Sequence, residues 1–328
     1  MRAIWRYGVI TALLIVTAAA GAQAPAAEYP AKPVQIIMDS PPGSTPDVVL
    51  RLVAEELSRS WRQQAVVVNR PGAGGSVAAR AAAEAAPDGY TLYQPVLATF
   101  VALHPAAANV PLHVPRDFLP IGFVAENPMF LATSPSLGIN TLAELIALAK
   151  ERPGEISYAA TGVGRLTHLT GELLQYKTGI KLELVPYTAG GPANAISDVT
   201  TGRVSMIIEG YSGIAASVQS GSLRLIAVAS AQRLADFANV PTVSETIPEL
   251  VATGWGALVA PVKTPDTIIQ KVSADLYQAA SQPELRRKLA KLGSYTRPMT
   301  PTEATEFVDA QQKMWAPVLA EIAQKQRK

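Results

Sequence analysis

Two short segments carry residue types that could hold an anion. The first is Pro41-Pro42-Gly43-Ser44-Thr45-Pro46-Asp47, and the second is Thr161-Gly162-Val163-Gly164-Arg165-Leu166-Thr167-His168. Each follows a short apolar run and leads into a run with helical spacing. Amides at a helix start lack intrahelical partners, and with the helix dipole they attract a carboxylate or phosphate. In the first segment Gly43 lets a ligand approach the backbone, while Ser44 and Thr45 add hydroxyls. Equally, Thr45 and Pro46 read as N-cap and N1 of an ordinary helix, with Gly43 as its turn. Asp47 suits the first turn of a helix, or would accept a ligand ammonium or hydroxyl. In the second segment Arg165 either pairs bidentately with a carboxylate or stands in solvent. His168 is expected to pack or cap rather than ligate.

Other chemistries are poorly equipped. His104, His113 and His168 are the three histidines, and none has metal-ligand spacing to another. The chain has no cysteine, which excludes disulfides, iron–sulfur clusters and thiol catalysis. No G-x-S-x-G elbow and no G-x-x-x-x-G-K-[ST] loop occurs. Gly72-Ala73-Gly74-Gly75-Ser76-Val77 has Val77 at the third glycine position of a dinucleotide loop and follows Pro71. It reads as a tight structural turn. No cofactor and no metal are expected.

The elements that must position the two segments alternate. Val34–Met38, Val66–Val68 and Tyr90–Tyr93 read as strands separated by helical runs, a βαβαβ order that predicts a parallel sheet. Phe118–Val124 and Met129–Thr133 read as two strands parted by Glu126-Asn127-Pro128. Further strands are expected at Ile156–Ala160, Leu182–Val185, Val204–Ile208, Leu223–Ala229 and Ala257–Ala260. Thr141 with Glu144, and Thr300 with Glu303, form capping boxes; Thr264-Pro265 gives an N-cap followed by N1. The result is two α/β lobes, the second inserted in the first: residues 27–125 plus 229–328, and residues 126–228.

Arg2 and Arg6, an apolar run from Tyr7 to Ala20, and small residues at A-x-A spacing predict an export signal over residues 1–26. The apolar run is short of the roughly 20 residues a membrane span needs. Without Arg2 and Arg6 the 28 basic residues become 26, against 26 acidic ones. No basic stripe argues for nucleic acid.

Dispersed motifs carry a resemblance. They include Tyr29-Pro30 with Lys32-Pro33, Pro41-Pro42-Gly43 with Asp47, and Asn69-Arg70-Pro71-Gly72-Ala73-Gly74-Gly75. Ala86-Pro87-Asp88-Gly89-Tyr90-Thr91-Leu92, Gly162-x-Gly164 with His168-Leu169, and Val185-Pro186-Tyr187 follow. Val240-Pro241-Thr242-Val243 and Ala260-Pro261 complete them. Over about residues 29–320 the chain resembles the receptors of tripartite tricarboxylate transporters, the Bug family of periplasmic solute-binding proteins. The resemblance implies two Rossmann-like lobes of the type II periplasmic binding protein kind, joined by crossing strands, with a ligand cleft between them. It implies that Gly43, Ser44, Thr45, Gly162, Val163 and Gly164 grip a carboxylate, with Thr161 a further candidate from the second segment, and that Thr99 and Tyr187 lie near the cleft. The chain departs from the family's habit at Ser44, Pro46, Asp39-Ser40, Arg165 and Glu209-Gly210-Tyr211. Arg165 would suit a second carboxylate; Glu209 and Asp47 would suit an amino or hydroxyl group.

The expected function is therefore a monomeric periplasmic receptor. It would capture a mono-, di- or tricarboxylate for the membrane permease subunits of a tripartite transporter. A ligand-binding partner of a membrane sensor kinase is the alternative, and a periplasmic hydrolase a more distant one.

Overall fold

The computed structural model describes residues 29–101, 116–187 and 192–325. The expected export signal, and His104 and His113, lie outside the described residues. The first lobe opens with β1 (Val34–Met38), α1 (Thr45–Trp61), β2 (Ala65–Asn69), α2 (Ser76–Ala83), β3 (Thr91–Gln94) and one short turn, α3 (Leu97–Phe100). Strand β4 (Phe118–Thr133) carries the chain into the second lobe. There follow α4 (Leu142–Glu151), β5 (Ser157–Ala160), α5 (Leu166–Thr178), β6 (Glu183–Pro186), α6 (Pro192–Thr200), β7 (Met206–Gly210), α7 (Tyr211–Gln219) and β8 (Arg224–Val228). The last elements are β9 (Thr253–Pro261), α8 (Asp266–Ser281), α9 (Pro283–Lys291) and α10 (Pro301–Lys325).

The strands run in the order β2-β1-β3-β9-β4-β7-β5-β6, with β8 also on β4. β1 pairs in parallel with β2 and β3, as the βαβαβ pattern predicts. Its Val34, Ile36, Ile37 and Met38 are buried and only Gln35 is exposed, so most of the strand is covered on both faces. Strand β4 belongs to both lobes. Phe118 to Pro128 pair with β9, Met129 to Thr133 with β7, and Phe130 to Thr133 also with β8.

The expected break at Glu126-Asn127-Pro128 is not a break. Pro128 sits at the last β9 pair, where the strand passes from one set of partners to the other. A proline is tolerated at such an irregular point of a ladder. Register shifts between Pro120 and Gly122, and between Phe123 and Ala125, bend the strand on its way.

Beyond β8 the chain stays against the second lobe before returning. Phe237 packs edge-on to Phe130 and Tyr211, at 5.0 and 4.5 Å between centroids. The backbone joins the first sheet only with β9. Three hydrogen bonds tie the crossing points together: Ala229 N–H to Met129 O, Met129 N–H to Ala252 O, and Ala252 N–H to Ala229 O. Among the described residues no helix is long and apolar enough to cross a membrane.

Candidate functional site

β1 delivers Asp39 and Ser40 to the carboxyl edge of its sheet, where open α/β sheets place their ligands. The Asp39 side chain is fully buried. Its Oδ2 accepts the Thr99 hydroxyl, and at 3.4 Å the Tyr93 hydroxyl and the Val96 N–H. Burial, then the Asp39 carboxylate, holds the Tyr93 phenol far above its ordinary value, so it remains a donor. Gly75, with φ +98°, is needed here because a Cβ at that position would collide with Thr99. The glycine turn at 72–75 thus seats Thr99 on Asp39.

From the opposite lobe Arg165 reaches across. Its Nη1 lies 3.4 Å from Asp39 Oδ1 and 3.4 Å from Ser40 Oγ, and Nη2 donates to the Asp39 carbonyl. Glu209 is the penultimate residue of β7, on the same lobe as Arg165. Its Oε2 accepts the Thr161 hydroxyl at 2.9 Å, and Oε1 accepts the Gly210 N–H at 3.0 Å. Burial raises the Glu209 carboxyl above its ordinary value of 4.5, against the hydrogen bonds from Thr161, Gly210 and Thr45.

The two helix starts are built alike, with a difference from the expected caps. Ser44, not Thr45, is the N-cap of α1, and neither side chain caps the helix. The Ser44 hydroxyl donates back to Pro41 O at 2.7 Å. That frees Thr45, whose hydroxyl accepts the Gly213 N–H at 3.1 Å from the other lobe. Asp47 accepts the Gly43 N–H at 2.9 Å, and its carboxylate also takes Arg51 and Asn69. In the facing loop His168 Nδ1 accepts the Gly164 N–H at 3.1 Å, one residue before the N-cap Arg165, and no side chain caps α5 itself. In both lobes, then, a side chain four residues on occupies the glycine amide.

Between the lobes lies a cavity of about 60 Å³. Ser40, Ser44, Thr161, Arg165 and Glu209 line it with Asn127, and Val96, Leu97, Met129, Leu166 and Trp255 supply apolar wall. Gly162, Val163, Thr161 and Arg165 border a second, outer cavity of about 130 Å³ against Pro71, Gly72, Ala73 and Gly74. Arg165 therefore stands between an inner and an outer space. Gly43, Thr45, Asp47, Thr99, Gly164 and Tyr187 line neither cavity. The Tyr187 hydroxyl donates to Asp198 at 2.6 Å instead, and burial with that bond pushes the phenol up to about 12.

Sequence reasoning passed over Asn127 and Trp255, which the two crossing strands bring in and no local motif marks. It noted Asp39 without assigning it a role, although a carboxylate ending an apolar run at a sheet's carboxyl edge is a usable signal. Among the described residues no group of three or more acidic or histidine side chains is placed to hold a metal ion.

Residues 49–324 match the model of the tripartite tricarboxylate transporter family receptor. The chain belongs to that family. BugT of Bordetella pertussis is 35% identical over 321 residues, covering 96% of this chain and 97% of its own. An R. palustris protein solved with adipate is similar in structure, at a TM-score of 0.84 and 27% identity, over 90% of this chain and 98% of that one. MatC from Rhodopseudomonas palustris, with bound malate, superposes at a TM-score of 0.79 and 26% identity, over 89% of this chain and 100% of that one. The mixed α/β architecture, with a cleft between two lobes, is thus that of a solute-binding receptor, as the motifs implied.

Proposed function

We propose that this receptor captures a small carboxylate in the cleft and presents it to the membrane permease subunits of a tripartite tricarboxylate-type transporter. It acts in the periplasm as a monomer, after removal of residues 1–26, and releases its ligand unaltered.

The observation that carries this reading is the convergence of Arg165, Ser40 and Ser44 on one cavity from opposing lobes. A guanidinium has five N–H donors, and Asp39 and Ser40 take only some of them. The remainder can meet a carboxylate. Relatives solved with adipate and malate support the same ligand class. The cleft residues 161–164, with Gly43, Ser44 and Thr45, form its two jaws. Closing hydroxyl-to-amide contacts such as Thr45 to Gly213 fit hinge motion around a ligand.

The test is thermal stability of the purified protein against a carboxylate panel with matched amides. A ligand at a hundredfold excess over Kd stabilises the folded state by about 2.7 kcal/mol. The acid is expected to raise Tm, its amide is not, and the acid is recovered unchanged. Stabilisation by amides or amines and by none of the acids would overturn the reading.

A further inference from the structure

The charges around the inner cavity do not balance. Asp39 and Glu209 are both buried acids; Glu209 and the cation Arg165 line the cavity, and Asp39, outside the lining, pairs with Arg165. Arg165 is already engaged on Asp39 through Oδ1 and the main-chain carbonyl. Glu209, only 2% exposed, has hydroxyl and amide donors but, among the described residues, no cation within ion-pair distance. A buried carboxylate without a counter-charge is costly, and a second carboxylate placed beside it raises that cost. The same cavity holds a second unmet group. Asn127 is 4% exposed, lines the wall, and its Oδ1 has no donor. One ligand group would satisfy both: a positively charged nitrogen, which brings a counter-charge and up to three N–H donors.

We propose that the ligand carries a cationic nitrogen as well as its carboxylate, and that Glu209 selects it. The carboxylate lies toward Arg165 and the helix starts, and the nitrogen toward Glu209 and Asn127. This rests on the receptor reading and narrows it from small acids to zwitterions. The groups facing Glu209 are Thr161 and Gly210 of its own lobe, Thr45 from the other, and Arg165 as the nearby charge.

Calorimetry on the purified protein tests it with three matched sets. These are aspartate, malate and succinate; glutamate, 2-hydroxyglutarate and glutarate; and 4-(aminomethyl)benzoate, 4-(hydroxymethyl)benzoate and 4-methylbenzoate. Within each set only the ammonium, hydroxyl or hydrogen changes. The expected result is that the amino member of a set binds at least about tenfold tighter than its partners. In Glu209→Gln that preference shrinks to about threefold or less, while the plain acid binds as well or better. A plain or hydroxy acid that binds as tightly as its amino partner overturns the proposal and leaves the receptor reading intact. Silence from every amino member also overturns it. Binding by amines lacking a carboxylate, with no acid bound, overturns the receptor reading itself. Proton counting on the unaltered protein, in two buffers of different ionisation enthalpy, does not depend on the variant folding. The amino ligand is expected to bind with fewer protons taken up, or more released, than the plain acid. Equal uptake by both sinks the proposal.

Discussion

Arg165 Nη1 lies 3.4 Å from Asp39 Oδ1, and this ion pair joins the two lobes across the ligand cleft. The Asp39 side chain has no exposed surface and that of Arg165 is 15% exposed, so solvent screens the pair weakly. Removing the cation leaves a buried carboxylate with only neutral donors. Arg165→Leu is expected to cost about 3 kcal/mol in urea denaturation. Adding Asp39→Asn in the same chain should recover at least about 1 kcal/mol relative to the sum of the single changes. Strict additivity would mean that the pair contributes no coupling.

Gly210 allows the lobes to touch. A Cβ there would collide with the Thr45 side chain, whose hydroxyl also receives the Gly213 N–H. Gly210→Ala should hold the lobes apart. Small-angle scattering is expected to give a larger radius of gyration than the parent protein at saturating ligand, and affinity should fall by about tenfold, since closure is lost. An unchanged radius and affinity would show that the Thr45 contact does not limit closure.

His168 ties stability to pH. Burial lowers its pKa from the ordinary 6.5, outweighing the pull of Glu172, so the folded protein holds it neutral with Nδ1 accepting the Gly164 amide. Its contribution is fully present above the unfolded value of 6.5. It is lost as pH falls below that value toward the lowered folded one, because the unfolded chain binds the proton first. Unfolding free energy is therefore expected to fall as pH drops below 6.5, and to fall less in His168→Gln. Parallel pH profiles for the two proteins would contradict this.

Glu209 works in the opposite sense. Its folded carboxyl titrates above 4.5, so the folded state binds more protons than the unfolded one in the window above 4.5. Stability is therefore lost as pH rises through that window and regained as it falls. Carbon-detected NMR should place the Glu209 titration above 4.5 in the unliganded protein. Relative to the parent, Glu209→Gln is expected to be more stable at pH 8 than at pH 4.5. A titration at or below the ordinary value would show that its hydrogen bonds from Thr161 and Gly210 outweigh burial.

Much of this was legible locally. The strand Val34–Met38 and the capping boxes at Thr141 with Glu144 and Thr300 with Glu303 appear where their residues predict them. Such features depend on neighbours three or four residues away. The starts of α1 and α8 fall one residue from their expected places, in opposite directions: Ser44 rather than Thr45 is the N-cap of α1, and Pro265 rather than Thr264 that of α8. The Ser44 hydroxyl turns back to Pro41 O and the Thr264 hydroxyl to Pro261 O, so neither caps its helix. Nothing in the local spacing distinguishes a hydroxyl that caps from one that folds the preceding turn.

The sequence by itself determined the alternation of strands and helices, the two glycine-containing segments at helix starts, and the family resemblance that runs through them. Only the tertiary structure decided what the polar side chains at those segments do. Asp47 and His168 take the glycine amides, Arg165 spends part of its fork on Asp39, and Glu209 lines the same cavity as Asn127 and Arg165 with, among the described residues, no cation within ion-pair distance. The physical reason is range. A helix start is set by hydrogen bonds a few residues long, but Asp39 and Arg165 stand 126 residues apart, and Thr45 and Gly213 stand 168 apart. Whether a charge at the cleft is free or satisfied depends on which distant side chain the crossing strands bring against it.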